Sequence, residues 1–419
     1  MLTSPLPQTI FLCVWQAVHL NIPPPGEPAY KQVVRRISWS ILAIIAPEMV
    51  ALNACLQYRE ARQLTRYVNV SRGLRPAQSN RTGSERLYNH LCWLGSKLGM
   101  LCIAPILALD RLRMLLRHSS KSRAFEREQR RLRLDNIESQ LDEDRLPWTV
   151  NTAFYALSGG SVVWIDRNIK TLTFWNIDML ATYDPRSLLP LQRAVLQDPS
   201  KASGLAKFIT CAQAFWFCSQ CIARLSQNMA ISLLELNTFA HCISAFFIYV
   251  FWWYKPYDVA THVYIESTHV HRRKQLLCSR SRNMNDEMFD SIDWADAGFW
   301  RPLVMILTFL LYGSIHSLAW QYHFPTQAEE IIWRCASIAT AASGLIVLVT
   351  ILRGIVWNRW TTARWTLSIA RLLHAIAYLF GFIAIAARSF LVVESFRALP
   401  NSPASIYEVP RWTAYIPHI

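Results

Sequence analysis

The sequence predicts an all-α fold, a polytopic transmembrane helical bundle with about six firm spans and one to three interfacial or re-entrant apolar segments. Three observations predict it. Of 419 residues, 52% are hydrophobic and only 17% are charged, whereas soluble domains carry about a quarter charged residues. The charges gather in basic blocks between long segments that have almost none. Many of the 17 Trp stand at the ends of those segments, among them Trp252, Trp253, Trp300, Trp320, Trp357, Trp360 and Trp365. Amphipathic indoles prefer the headgroup layer of a bilayer.

The chain opens without the basic start of a secretory signal, since Met1–Pro7 holds no Lys or Arg. Phe11–Leu20 is apolar but too short to span. His19–Pro28 reads HLNIPPPGEP, and its consecutive prolines favour an extended segment. The first firm span is Ile37–Gln57, long enough to cross about 30 Å of hydrocarbon. Pro47 predicts a kink in it, and Glu48 sits near its middle.

Arg59–Arg86 is polar and basic. Leu91–Leu109 is apolar around Lys97, with basic flanks on both sides. The positive-inside rule therefore predicts a re-entrant or surface helix there. Pro147–Asp166 is apolar but short, and Gly159 and Gly160 break it. Arg167–Lys207 is polar and proline-bearing, the pattern of a soluble lobe. Two spans follow, Phe208–Leu225 and Ile231–Trp253, joined by a turn short enough to force a helical hairpin. Leu303–Trp320, Ile331–Leu352 and Leu367–Val393 complete the set. The organisation is thus an N-terminal segment with the first span (1–57), a polar and basic region with interfacial helices (58–205), a bundle (206–394) and a tail (395–419).

Loop charges alternate along the chain. Arg111–Arg133, Lys255–Arg282 and Arg353–Arg364 are basic, whereas Tyr322–Glu330 holds no Lys or Arg. The net charge of +15 is explained first by the positive-inside rule. No reading motif accompanies it, so nucleic acid is not an expected partner. The bilayer is. Of the ten Cys, most lie in apolar stretches, where Cys acts as a small hydrophobe. Cys218 and Cys221 form a CxxC with no second pair, too little for a metal site.

Polar groups inside spans are costly, by about 2.5–3.5 kcal/mol on insertion scales, and each is a functional candidate. Glu48 is the first. A desolvated carboxyl there favours the protonated acid, which can act as a Brønsted acid on an apolar substrate. The plain alternative is a packing carboxyl bonded to a neighbour. Glu235, Asn237 and His241 lie in the span Ile231–Trp253, where Asn237 and His241 share a helix face. The partner helix offers Gln213, Gln220 and Arg224. The hairpin can bury these as one polar seam, which serves either as a site or as interhelical glue. His316, Arg371 and His374 are weaker candidates. Asp286, Asp290 and Asp293 line one face if their loop is helical, a spacing that can hold Mg²⁺ on a diphosphate. The tract is similar to that of membrane prenyltransferases, although their second tract is absent. An acidic surface is the plain reading. Walker, Rossmann, GxSxG and HExxH motifs are all missing.

Several tracts together resemble a large family of fungal multi-span membrane proteins. They are HLNIPP, the APE of Ala46–Glu48, WT…FYALSGG at Trp148–Gly160, and LAK…QCIAR…SLLELNTFAH…WW.KP.DV within Lys201–Val259. Asp166 stands where that pattern often has an acid. Membrane terpene cyclases of fungal meroterpenoid pathways look similar to this family, although none of their catalytic residues can be matched onto this chain. The resemblance implies protonation-initiated cyclisation of a prenyl or epoxy-prenyl chain in the endoplasmic reticulum or another endomembrane. The expected partner is an apolar prenylated small molecule, in association with pathway enzymes. On that route an acid starts the reaction and aromatic faces stabilise the cation. It needs no cofactor and no metal. Glu48 and Glu235 are the acid candidates, with Asn237, His241 and Arg224 as supports. A transporter or scaffold, and a prenyltransferase using Asp286, Asp290 and Asp293, are the alternatives.

Overall fold

The computed structural model describes residues 9, 13–73, 147–165, 168–192, 201–257, 259, 261–266, 300–345, 349 and 364–401. Within them the protein is mostly helical. The segment Leu91–Leu109, the acidic tract of Asp286, Asp290 and Asp293, and Asp166 lie outside the described residues.

Helix α1 (Ala29–Ile45) starts directly after Pro28, whose extended backbone precedes the first turn. It stops at Ala46, and α2 (Pro47–Ser71) begins with Pro47 in its first turn. The two helices are bent by 112°. Proline causes the break: it has no N–H to give, and its ring excludes the preceding carbonyl of a continuous helix. The expected single span Ile37–Gln57 with a kink at Pro47 is instead the meeting of two separate helices, the kink being a full break. α1 keeps Tyr30, Val33, Val34, Ile37 and Ile41 exposed, whereas α2 is buried along most of its length. Asn69 clamps Trp148 from the far end of α2, donating to its carbonyl (3.0 Å) and accepting from its N–H (2.8 Å).

Pro147–Asp166 is open in the sequence between an interfacial and a bundle-packed segment, and its described residues are part of the core. α3 (Val150–Tyr155) is capped by Thr149 and runs into a π turn, Ala156–Gly160, where Gly159 has φ 98°. A side chain at Gly160 would meet the Tyr155 ring at 2.5 Å. The chain then leaves as β1 (Ser161–Ile165) and β2 (Asn168–Thr171), which pair antiparallel with Val162 opposite Thr171. β3 (Val263–Tyr264) joins β1 in parallel, giving the order β2-β1-β3. This small sheet corrects the all-α expectation. Ser-Val-Val-Trp-Ile suits an extended, half-buried ribbon, because β-branched and aromatic side chains pack well on a pleated surface. α4 (Phe174–Tyr183) follows, and Ile177, Leu180, Leu188 and Leu191 enter the same core as Leu64 and Val68 of α2.

The hairpin was legible. α5 (Lys201–Ser226) and α6 (Leu233–Trp252) are joined by a short turn containing Asn228 at φ 53°. α7 (Trp300–Ser317), α8 (Gln327–Ala342) and α9 (Arg364–Arg397) complete the bundle. Among the described residues two helices are long and apolar enough to cross a membrane, α6 and the Arg371–Arg397 part of α9. The count is three if the bent pair α1–α2 makes one span. The six expected spans are thus not supported. Between Arg301 and the end of α7 at Ser317 lie 16 residues, about 24 Å at 1.5 Å per residue. α8 has 16 residues, including Glu329, Glu330 and Arg334, and residues 346–348 and 350–352 of the expected span Ile331–Leu352 lie outside the described residues; α5 carries Lys207 and Arg224.

The opening motif is tied into this core. His19 is 2% exposed and meets the edges or faces of Tyr249, Trp252 and Tyr257 at ring separations of 5.9, 5.6 and 5.2 Å. Burial first, then the charges of Lys207, Lys255 and Arg36, hold its pKa well below the usual imidazole value. In the unfolded chain the ring regains a pKa of about 6.5. Above that pH the ring is neutral in both states. Below it the unfolded chain takes up a proton that the folded protein refuses, so stability falls on acidification. Unfolding temperatures in detergent micelles should therefore drop between about pH 7.5 and 5.5. His19→Phe, which keeps an aromatic ring, should flatten that slope. Parallel profiles for the two proteins would show that His19 does not carry it.

Candidate functional site

The helix break creates the site. A helix end leaves its last carbonyls without intrahelical donors. At the end of α1, the carbonyl of Ile44 lies 2.9 Å from His241 Nε2 on α6, and that of Ile45 accepts from Arg388 Nη1 on α9 at 3.3 Å. Glu48 stands in the first turn of α2, where the positive end of the helix dipole favours a carboxylate. It is 1% exposed and forms an ion pair with Arg388, itself 4% exposed. The guanidinium also reaches Ser343 Oγ at 3.4 Å. It lies over the rings of Phe309 and Tyr312, 5.2 and 5.5 Å from their centroids.

A second row of polar groups adjoins the pair. His241 Nδ1 is 2.8 Å from the carbonyl of Asn237. A neutral imidazole can donate to one of its two facing carbonyls, and an imidazolium to both. Asn237 Oδ1 lies 3.2 Å from His316 Nε2, and His316 Nδ1 lies 3.0 Å from the Tyr312 carbonyl. The Tyr312 ring contacts His241 edge-on at 5.8 Å and His316 at 4.9 Å. Trp333 Nε1 donates to the His316 carbonyl. Six helices, α1 by its end carbonyls and α2, α6, α7, α8 and α9 by side chains, thus supply one buried centre that holds a carboxylate, a guanidinium and two imidazoles among aromatic rings. In such a low-dielectric place charge interactions are strong and a proton is not shared with bulk water.

The sequence candidates divide between this centre and another place. Glu48, Asn237 and His241 come together here. Glu235 and Arg224 sit at the hairpin turn. Glu235 Oε2 accepts from the Ser232 N–H (2.9 Å) and hydroxyl (3.1 Å), closing a capping box on α6. Its Oε1 pairs with Arg224 Nη1 at 3.4 Å, and Arg224 also donates to the Ala230 carbonyl. These bonds fasten the turn, so the single polar seam expected along the hairpin is split in two. Gln213 and Gln220 are only half-buried, and Arg371 is exposed. Among the described residues no three His, Cys, Asp or Glu side chains gather as ligands for a metal ion.

Arg388, Tyr312 and Ser343 are not among the sequence candidates, and His316 stands among the weaker ones. Arg388 had a signal: it is a guanidinium inside the apolar run Arg371–Arg397, and intramembrane charges imply partners. Tyr312 and Ser343 had none, because ordinary packing residues look the same in sequence.

No curated protein and no solved structure matches the chain. One family model covers nearly all of it, over residues 3–95, 111–289 and 301–419, and the chain accordingly belongs to a family of unknown function (DUF8562).

Proposed function

We propose that the protein is an integral membrane enzyme of fungal secondary metabolism, acting on an apolar prenylated substrate in the endoplasmic reticulum or another endomembrane. Its reaction is protonation-initiated cyclisation of a prenyl or epoxy-prenyl chain. The observation that supports this is the buried Glu48–Arg388 pair among Phe309, Tyr312 and His241. Glu48 takes the role of acid when Arg388 relaxes onto Ser343 and the Ile45 carbonyl, both already within its reach. The proton goes to the epoxide oxygen and the C–O bond opens. An alkene of the same chain attacks the carbon cation, and a proton lost at the end returns to the carboxylate. The step is a redox-neutral isomerisation. Aromatic faces favour the passing cation. Pathway enzymes that prenylate and epoxidise the substrate are the proposed associates.

The ion pair itself favours a second reading, a transporter or scaffold, because a carboxylate held by a guanidinium is a poor acid. Microsomes carrying the full chain and fed an epoxy-prenyl phenol separate the two. Cyclisation predicts a new isomeric product, and Glu48→Gln should lower its rate by about 100-fold or more. Uptake that changes with Glu48→Gln while no product forms would discard the enzyme in favour of the transporter.

A further inference from the structure

A second polar cluster lies at the opposite end of α6 from its capping box. His19 is buried, and neither of its ring nitrogens has a hydrogen-bond partner. The charges that act on it come from Lys207, Lys255 and Arg36, all cations, contributed by α5, the segment after α6, and α1. Their settings are specific. Lys207 is fixed by three carbonyls at the end of α6, those of Trp252, Trp253 and Lys255. Lys255 donates to Asn21 Oδ1 (2.8 Å) and Gln57 Oε1 (2.9 Å) and lies 4.4 Å over the Trp252 ring. Arg36 bonds the Tyr257 hydroxyl and lies 4.7 Å over the Trp15 ring.

A buried imidazole with both nitrogens unused needs a partner. Surrounded by positive charge, it stays neutral and offers one N–H donor. The partner that satisfies both the donor and the field is an oxyanion. We propose that His19, Lys255 and Arg36 form a binding site for a phosphate-type oxyanion, with Lys207 holding the site in shape. Asn21, Arg36 and Tyr257 are half-buried, so the approach runs past them, beside the exposed apolar face of α1. The phosphate comes from solution or from a lipid headgroup. This site stands independently of the cyclase reading, since it shares no residue with the Glu48 centre.

The test uses the full chain. Inorganic phosphate is titrated into protein in neutral detergent. In parallel, nanodiscs of phosphatidylcholine alone are compared with nanodiscs that also contain phosphatidic acid. Saturable binding of inorganic phosphate identifies a soluble ligand, and a response to phosphatidic acid alone identifies a headgroup. His19→Phe should weaken either response at least about tenfold, the loss expected for one charge-assisted hydrogen bond. Asn21→Asp places a carboxylate against Lys255 with almost no change of shape. It should have the same effect, and it tests the site even if His19→Phe fails to fold. No binding in either arm, or wild-type binding by Asn21→Asp, overturns the proposal.

Discussion

Replacing Arg388 by methionine is expected to destabilise the protein by about 3–5 kcal/mol, because it leaves the Glu48 carboxylate buried without its cation. Glu48 is 1% exposed and Arg388 4%, so water cannot take over the lost interaction. Arg388 also satisfies the Ile45 carbonyl and Ser343 Oγ, which lose a donor at the same time. The double variant Glu48→Leu/Arg388→Met removes both charges and should regain most of that loss, since well-packed apolar replacements of a buried pair are often neutral or better. Unfolding of the purified protein in mixed micelles, followed by circular dichroism against denaturing detergent, reads both effects. A double variant no more stable than Arg388→Met would mean that the pair is not a unit.

The second large effect is expected at Gly313 on α7. A Cβ there would lie 2.4 Å from the backbone nitrogen of Ala341 on α8, 2.5 Å from its Cα and 2.6 Å from its Cβ. Two of these are backbone atoms of a neighbouring helix and the third is an alanine Cβ fixed to that backbone, so no rotamer change relieves the clash. Small residues let helix backbones approach this closely. Gly313→Val should force α7 and α8 apart and cost about 3 kcal/mol, the upper range for overpacking. Gly381 in α9 is the contrasting control, with nothing within 4 Å of an added Cβ. Gly381→Ala should be neutral or stabilising by up to about 1 kcal/mol. Equal behaviour of the two variants would refute the close α7–α8 contact. The displacement also reaches the candidate site, because Tyr312 and His316 flank Gly313 on the same helix.

The N-terminal half shows why periodicity and composition misjudged the spans. Ile37–Gln57 has the length and hydropathy of one span, but Pro47 does more than kink it. The helix stops, its end carbonyls are released, and His241 and Arg388 are drawn in to satisfy them. Pro147–Asp166 is too short and too broken by Gly159 and Gly160 for local pattern to separate an interfacial segment from one packed on the bundle. Its apolar residues are instead explained by a buried turn and a strand. The strand partner, Val263–Tyr264, is 102 residues away in sequence, a pairing that no local pattern announces.

The sequence by itself determined that this chain is mostly helical, that apolar helices of membrane-spanning length are present, and that Glu48, Asn237 and His241 sit where polar groups demand partners. Those properties follow from local composition and 3.6-residue spacing. Only the tertiary structure decided which partner each group has. Glu48 found Arg388, 340 positions later in the chain, whereas Glu235 was taken by its own helix cap and by Arg224. The physical reason is that an unpaired buried charge can be satisfied by any nearby donor, and proximity across helices is set by packing. Among the described residues the helices long enough to cross were decided the same way, since a proline divides one expected span and charges interrupt the apolar content of others.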